Sequence, residues 1–74
     1  MRKMEELIKA LAPFLSECEE TVEAKRVEMC LVWSIPNHEQ SYIWNAIDDA
    51  KRGHYSAYGL ICYLHDYLKA RNYF

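Results

Sequence analysis

A chain of 74 residues and 8.8 kDa has room for one small domain, residues 1–74, whose core must be thin. With 51% hydrophobic and 14% aromatic residues it is too apolar for a disordered segment, and 27% charged residues are too many for a membrane span. Lys and Arg number 9 against 11 Asp and Glu, a formal charge of -2, so no overall cationic field is available to hold nucleic acid.

The first segment has a helical period: Met4, Leu7, Ile8, Leu11, Phe14, Leu15 and Cys18 recur at steps of three and four, and Lys3, Glu5, Glu6 and Lys9 fill the other face. Pro13 cannot donate to the helix ladder, so a kink or stop is expected near residue 12. Ser16 with Glu19 has the form of a capping box that would start a second helix. Glu17, Glu19, Glu20 and Glu23 then crowd its N-terminus, where the backbone dipole favours negative charge.

Residues 27–35 admit two readings. As a strand, Val27, Met29, Leu31, Trp33 and Ile35 line one face, while Glu28, Cys30, Val32 and Ser34 line the other. As a helix, Val22, Met29, Val32 and Trp33 share one side, widened by Val27, Cys30 and Leu31. No second strand is apparent, so a strand here would have to pair with another copy of the chain.

Pro36 and Asn37 end this element, and Asn37 is placed to cap the next helix, with Gln40 at the capping-box position. A helix over 38–52 would bury Ile43, Ala46, Ile47 and Ala50, with Trp44 beside them. Gly53 is placed to stop it, after Lys51 and Arg52. A last helix over 55–71 carries a core stripe of Leu60, Ile61, Leu64 and Leu68. The expected fold is therefore mainly α, a compact bundle of about four helices with a C-terminal helical hairpin. The alternative is α+β, a strand over 27–35 followed by two helices and paired in a dimer.

Cys18, Cys30 and Cys62 are odd in number and lack a C-x-x-C spacing, which fits reduced thiols in a cytoplasm better than a secreted disulfide scaffold. The basic start, residues 1–3, imitates a signal peptide, but Glu5, Glu6 and Lys9 interrupt the apolar stretch that should follow. An unprocessed chain with no membrane segment is expected. Cys62 and His65 lie three apart on a helix, but a metal site needs three or four ligands and a Cys–His nucleophile needs an orienting group and an oxyanion hole. Asp48 and Asp49 point about 100° apart on a helix and do not form a carboxylate pair. Two glycines leave no phosphate-cradling loop. The chain is expected to be no enzyme and to hold no metal or cofactor.

Tyrosine is the more informative residue. Tyr42, Tyr55, Tyr58, Tyr63, Tyr67 and Tyr73 all fall in the second half, with Trp44 and Phe74. One helix cannot bury so many rings in so small a core, and Tyr and Trp are enriched in binding hot spots. The expectation is a protein-binding module, a small regulator or inhibitor of bacterial or phage type. It would be a homo-oligomer that docks on a larger protein through an aromatic-rich helix face. Trp44, Tyr55, Tyr58, Tyr63 and Tyr67 are the candidate anchors, and Glu17, Glu19, Glu20 and Glu23 would steer a basic partner.

If residues 27–35 form a strand, the order strand–helix–helix over 27–71 resembles the ribbon-helix-helix family of DNA-binding repressors. Within it, Ile35 and Pro36 resemble the strand-to-helix junction, Gly53 the inter-helix turn, and Leu60, Ile61, Leu64 and Leu68 the second helix's core. The resemblance implies a dimer that inserts a two-stranded ribbon into the major groove. The residues that would read base edges are Glu28, Cys30, Val32 and Ser34, none of them Arg, Lys, Asn or Gln, so nucleic acid is a disfavoured partner.

Overall fold

The computed structural model describes residues 4–33 and 35–74 as four helices: α1 (Met4–Glu17), α2 (Val22–Val32), α3 (Asn37–Lys51) and α4 (Ala57–Ala70). No strand occurs among the described residues, and residues 27–32 complete α2. A helix satisfies its backbone hydrogen bonds within itself, whereas a strand at 27–35 would need a partner that this chain does not contain. The strand–helix–helix order behind the ribbon-helix-helix resemblance is therefore corrected. Ser34 and residues 1–3 lie outside the described residues.

α1 does not stop near residue 12. It continues through Pro13, which is exposed, because Leu7, Leu11 and Leu15 form one buried stripe on both sides of it. Burying a leucine stabilises by about 1.5–3 kcal/mol, so three outweigh the roughly 3 kcal/mol that an interior proline costs. Keeping Leu15 on that stripe carries α1 past Ser16, so Ser16 caps nothing. Thr21 is the N-cap of α2 instead: its Oγ1 accepts from Ala24 N (3.2 Å) and donates to Cys18 O (2.7 Å). Asn37 is likewise the first residue of α3, not its cap. Pro36 holds the cap position, and Gln40 Nε2 reaches back to Ile35 O (3.3 Å) and Asn37 Oδ1 (3.2 Å).

The ends of the hairpin helices share one device. After α3, Gly53 N donates to Ala50 O and His54 N to Asp49 O, with Gly53 at φ +91°. After α4, Asn72 N donates to Lys69 O and Tyr73 N to Leu68 O, with Asn72 at φ 67°. Both are Schellman motifs, which satisfy the last carbonyls of a helix by turning one residue left-handed. Ser56 caps α4 at its start by accepting from Gly59 N (3.1 Å).

α1 and α4 form the central pair, and each also packs against α2 and α3, which lie to either side. Leu60, Ile61, Leu64 and Leu68 of α4 meet Leu7 and Leu11 of α1, Val27 and Leu31 of α2, and Ile43 and Ile47 of α3 in one core. The accessible surface is 4,884 Å², against roughly 4,800 Å² expected for this mass. The total area is ordinary, so any excess of apolar surface is a matter of which residues occupy it. No described helix is long and apolar enough to cross a membrane.

The left-handed turn at Gly53 faces open space, so a Cβ there meets no neighbour and the cost of adding one is conformational alone. Gly53→Ala is expected to destabilise by about 1 kcal/mol, which lowers the melting temperature of a domain this size by roughly 4–8 °C. A urea midpoint and m-value both unchanged from wild type would contradict this assignment.

Candidate functional site

Three surfaces bear on function, and the structure divides the predicted anchors among them. The first is a stack of tyrosines across the α3–α4 seam. Tyr42 lies 4.1 Å from Tyr67 and 6.1 Å from Tyr63 between ring centroids, and Tyr55 lies 5.5 Å from Tyr63, all nearly parallel. The Tyr42 and Tyr63 hydroxyls are hydrogen-bonded to each other. That bond first, then burial and neighbouring rings, pushes the Tyr63 phenol up to about 12. Tyr55, Tyr63 and Tyr67 are thus half-buried against one another and against Tyr42, and they serve as a cap on the core more than as free anchors. Trp44 is half-buried against the core.

Beneath this stack lies a buried carboxylate that the helical period did not reveal. Glu39 is 1% exposed, and its Oε1 accepts from Arg71 Nη2 at 2.6 Å and lies 3.1 Å from His38 Nε2. Burial alone would raise this carboxyl. Hydrogen bonds from Tyr67 and Arg71, with the charges of Arg71 and His38, outweigh it and hold Glu39 below its ordinary value. Arg71 also lies over the Tyr67 ring, 5.8 Å from its centroid, so α3, α4 and the stack are tied by one ionic group.

The second surface is an acidic corner where α1 turns into α2. Glu17, Glu19 and Glu20 line an open cleft there with Ser16, Cys18, Thr21 and Tyr58. Tyr58 comes from the first turn of α4, is 49% exposed, and donates to Glu23 Oε1 at 3.5 Å. The Cys62 side chain and then the Glu23 carboxylate push its phenol up to about 12. Four of the predicted acidic residues and one predicted aromatic anchor, 35 or more positions apart in sequence, therefore meet here. The placement of Glu17 is unfavourable for α1, whose last turn carries no basic residue to complement its dipole.

The third surface, on α2, reverses an expectation. Val22, Met29, Val32 and Trp33 do share one side of the helix, but it is the outer one, 57%, 62%, 66% and 79% exposed respectively. The inner side is Ala24, Val27, Cys30 and Leu31. A signal for this was present: Ala24, Val27 and Leu31 span an arc of about 60° free of charge, whereas Lys25 and Arg26 lie within about 60° of Met29. Met29 and Trp33 also wall an apolar groove of about 300 Å³, closed on its far side by Ile35, Tyr73 and Phe74. Arg26 stands at its edge, 6.0 Å from the Phe74 ring centroid and donating to His65 Nε2 at 3.4 Å.

Cys62 and His65 are not brought to a common task. His65 Nε2 accepts from Arg26 while Nδ1 faces Asp66 Oδ1 at 3.1 Å, and Cys62 lies beside Tyr58. Burial raises the Cys18 and Cys30 thiols, for Cys18 against an opposing hydrogen bond with Thr21, which disfavours the nucleophilic thiolate. Among the described residues no three His, Cys, Asp or Glu side chains converge as a metal-binding group. Comparison of the chain with known protein families, curated proteins and solved structures finds no match.

Two predictions follow from the seam. A raised phenol favours the folded state below pH 10 and loses that contribution as pH rises towards 12, so Tyr63 makes the fold sensitive to alkali. Tyr42→Phe is expected to bring one tyrosine back towards 10 in an ultraviolet phenolate titration; an unaltered titration curve contradicts the assignment. The lowered Glu39 carboxyl has the opposite sign: its contribution is present above 4.5 and lost as pH falls through the folded value. Arg71→Ala should therefore destabilise the protein at pH 7 and converge on wild type in acid. A deficit that is independent of pH would place the role of Arg71 elsewhere.

Proposed function

We propose that this chain is a non-catalytic protein-binding module, a small cytoplasmic regulator or inhibitor of bacterial or phage type. It docks on the basic surface of a larger protein by way of the acidic corner. The observation that carries this reading is the convergence of Tyr58, from α4, with Glu17, Glu19 and Glu20 around one open cleft, with Glu23 accepting the Tyr58 hydroxyl beside it. An exposed aromatic ring amid carboxylates suits a lysine- or arginine-rich surface: the carboxylates steer and pair, and the ring supplies contact area with a polar tip.

The energetics of the corner support the same reading. Glu17, in the last turn of α1, opposes that helix's dipole and acts against folding where it stands, whereas Glu23, in the first turn of α2, is favoured there. A local arrangement that costs stability without a structural return is characteristic of functional surfaces. The mechanism would be steric: the module covers a working surface of its partner and needs no reactive group. The raised thiols of Cys18 and Cys30 and the separate engagements of His65 and Cys62 are in keeping with that.

The test is affinity capture from native lysate by the immobilised chain, with mass measurement of the intact complex. A basic protein should be retained, and its retention should fall between about 0.1 M and 1 M salt, as the Debye length shrinks from about 10 Å to 3 Å. Tyr58→Ala, and separately Glu19→Lys with Glu20→Lys, should weaken capture at least about tenfold with helicity unchanged. Glu17→Lys should weaken capture while raising the melting temperature. Capture of the same proteins by wild type and all variants would remove the acidic corner from consideration.

A further inference from the structure

We infer that the groove between α2 and the segment after α4 is a binding site for a small amphipathic carboxylate, a compact apolar body bearing one negative charge. The inference is independent of whether the acidic corner binds anything. Met29 and Trp33 lie four positions apart, so they stand on one side of α2 and form one wall of the groove. The opposite wall is made by the end of α4. Asn72 turns left-handed and Tyr73 N bonds Leu68 O (3.1 Å), which leaves Tyr73 and Phe74 facing α2 instead of continuing the helix. The buried Cys30 and Ile35 lie deepest.

The groove has one charged group, and that group is held in place. Arg26 Nη1 donates to His65 Nε2 at 3.4 Å, and His65 Nδ1 lies 3.1 Å from Asp66 Oδ1. With Nδ1–H donating to Asp66, Nε2 is left as the acceptor, so a buried ring carries the hold of the carboxylate through to the guanidinium. Phe74 packs on both partners, 5.0 Å from His65 between ring centroids and 6.0 Å from Arg26 Cζ. A guanidinium has five N–H donors, of which His65 takes one. Among the described residues Arg26 makes no ion pair. The carboxylates around it have other engagements: Asp66 with His65, Glu23 with Tyr58, and Glu39, whose charge reaches Tyr73, with Arg71. The remaining donors are open to an anion at the edge of the groove.

Size and charge define the occupant. About 300 Å³ is the lower end of the range for small-molecule pockets and the space of about ten waters, which suits one ring with a short chain. Apolar and aromatic walls with a single placed polar group are the usual lining of such pockets. Met29 is flexible and polarizable, so it can close on bodies of different shape. The planar fork of Arg matches a carboxylate with two parallel hydrogen bonds, repels a cation and gains little from a neutral head group. One cation at the groove of a chain with net charge -2 matches one negative charge and not a second, which favours a carboxylate over a phosphate dianion.

Amide NMR of the full chain titrated with phenylbutyrate provides the test, with phenylbutanol and phenylbutylamine as its neutral and cationic counterparts and circular dichroism as the control for folding. Phenylbutyrate should shift the amides of Cys30, Ile35, Tyr73 and Phe74 saturably and bind at least about tenfold more tightly than either counterpart. Arg26→Gln, at an exposed position, should abolish that preference and leave the affinity for phenylbutanol unchanged. Trp33→Ala should weaken the acid and the alcohol alike. Tyr58→Ala should leave the titration as it is, whatever the fate of the acidic corner. Absence of saturable shifts at millimolar probe overturns the proposal, as does equal binding of acid and alcohol or a preference that survives Arg26→Gln. Shifts at Met29 and Trp33 that depend on chain concentration without any probe would assign the groove to a second copy and overturn it too.

Discussion

The fold depends on the stripe of Leu60, Ile61, Leu64 and Leu68 along α4. All four are fully buried, and α4 is in contact with each of the other three helices. In a bundle this small no second layer of core exists, so the arrangement of everything else follows from how each helix reaches that stripe. α1 reaches it with three leucines at steps of four, a pull strong enough to carry the helix through Pro13. α3 reaches it with Ile43 and Ile47 and brings Glu39 inside with them, and Arg71 and Tyr67 then become necessary to accommodate the buried charge.

Packing a single stripe has a consequence for the surface. α2 offers apolar residues on both of its sides, and α4 can take only one. Ala24 allows close approach and Val27 and Leu31 fill the contact, so Val22, Met29, Val32 and Trp33 are turned outward. The tyrosines meet the same limit differently. Tyr42, Tyr55, Tyr63 and Tyr67 cannot enter the core, so they stack on one another across the seam, where the Tyr42 and Tyr63 hydroxyls bond each other and Tyr67 turns its hydroxyl to Glu39. The excess of apolar surface that composition implies is thus settled mostly within the chain at the α3–α4 seam and left open on α2.

The two remaining open surfaces differ in kind. The α2 face is apolar, with Val22, Met29, Val32 and Trp33 exposed along it. The acidic corner is polar, of one sign, and repels a copy of itself.

Much of the architecture was legible without coordinates. The period of α1, the hairpin of α3 and α4, the stop at Gly53 and the buried stripe of α4 all follow from residue spacing, because burying one face of a helix imposes a local and repeating pattern. The cap of α2 misled, since Ser16 and Thr21 are both competent and only the burial of Leu15 chooses between them. What lay beyond the sequence was every decision that depends on two helices at once. These include that Tyr58 meets the carboxylates 35 positions and more before it, and that Glu39 is buried against Arg71. Spacing determines which residues share a face; only packing against a neighbour determines which face is hidden, because that choice is made by the surface across from it.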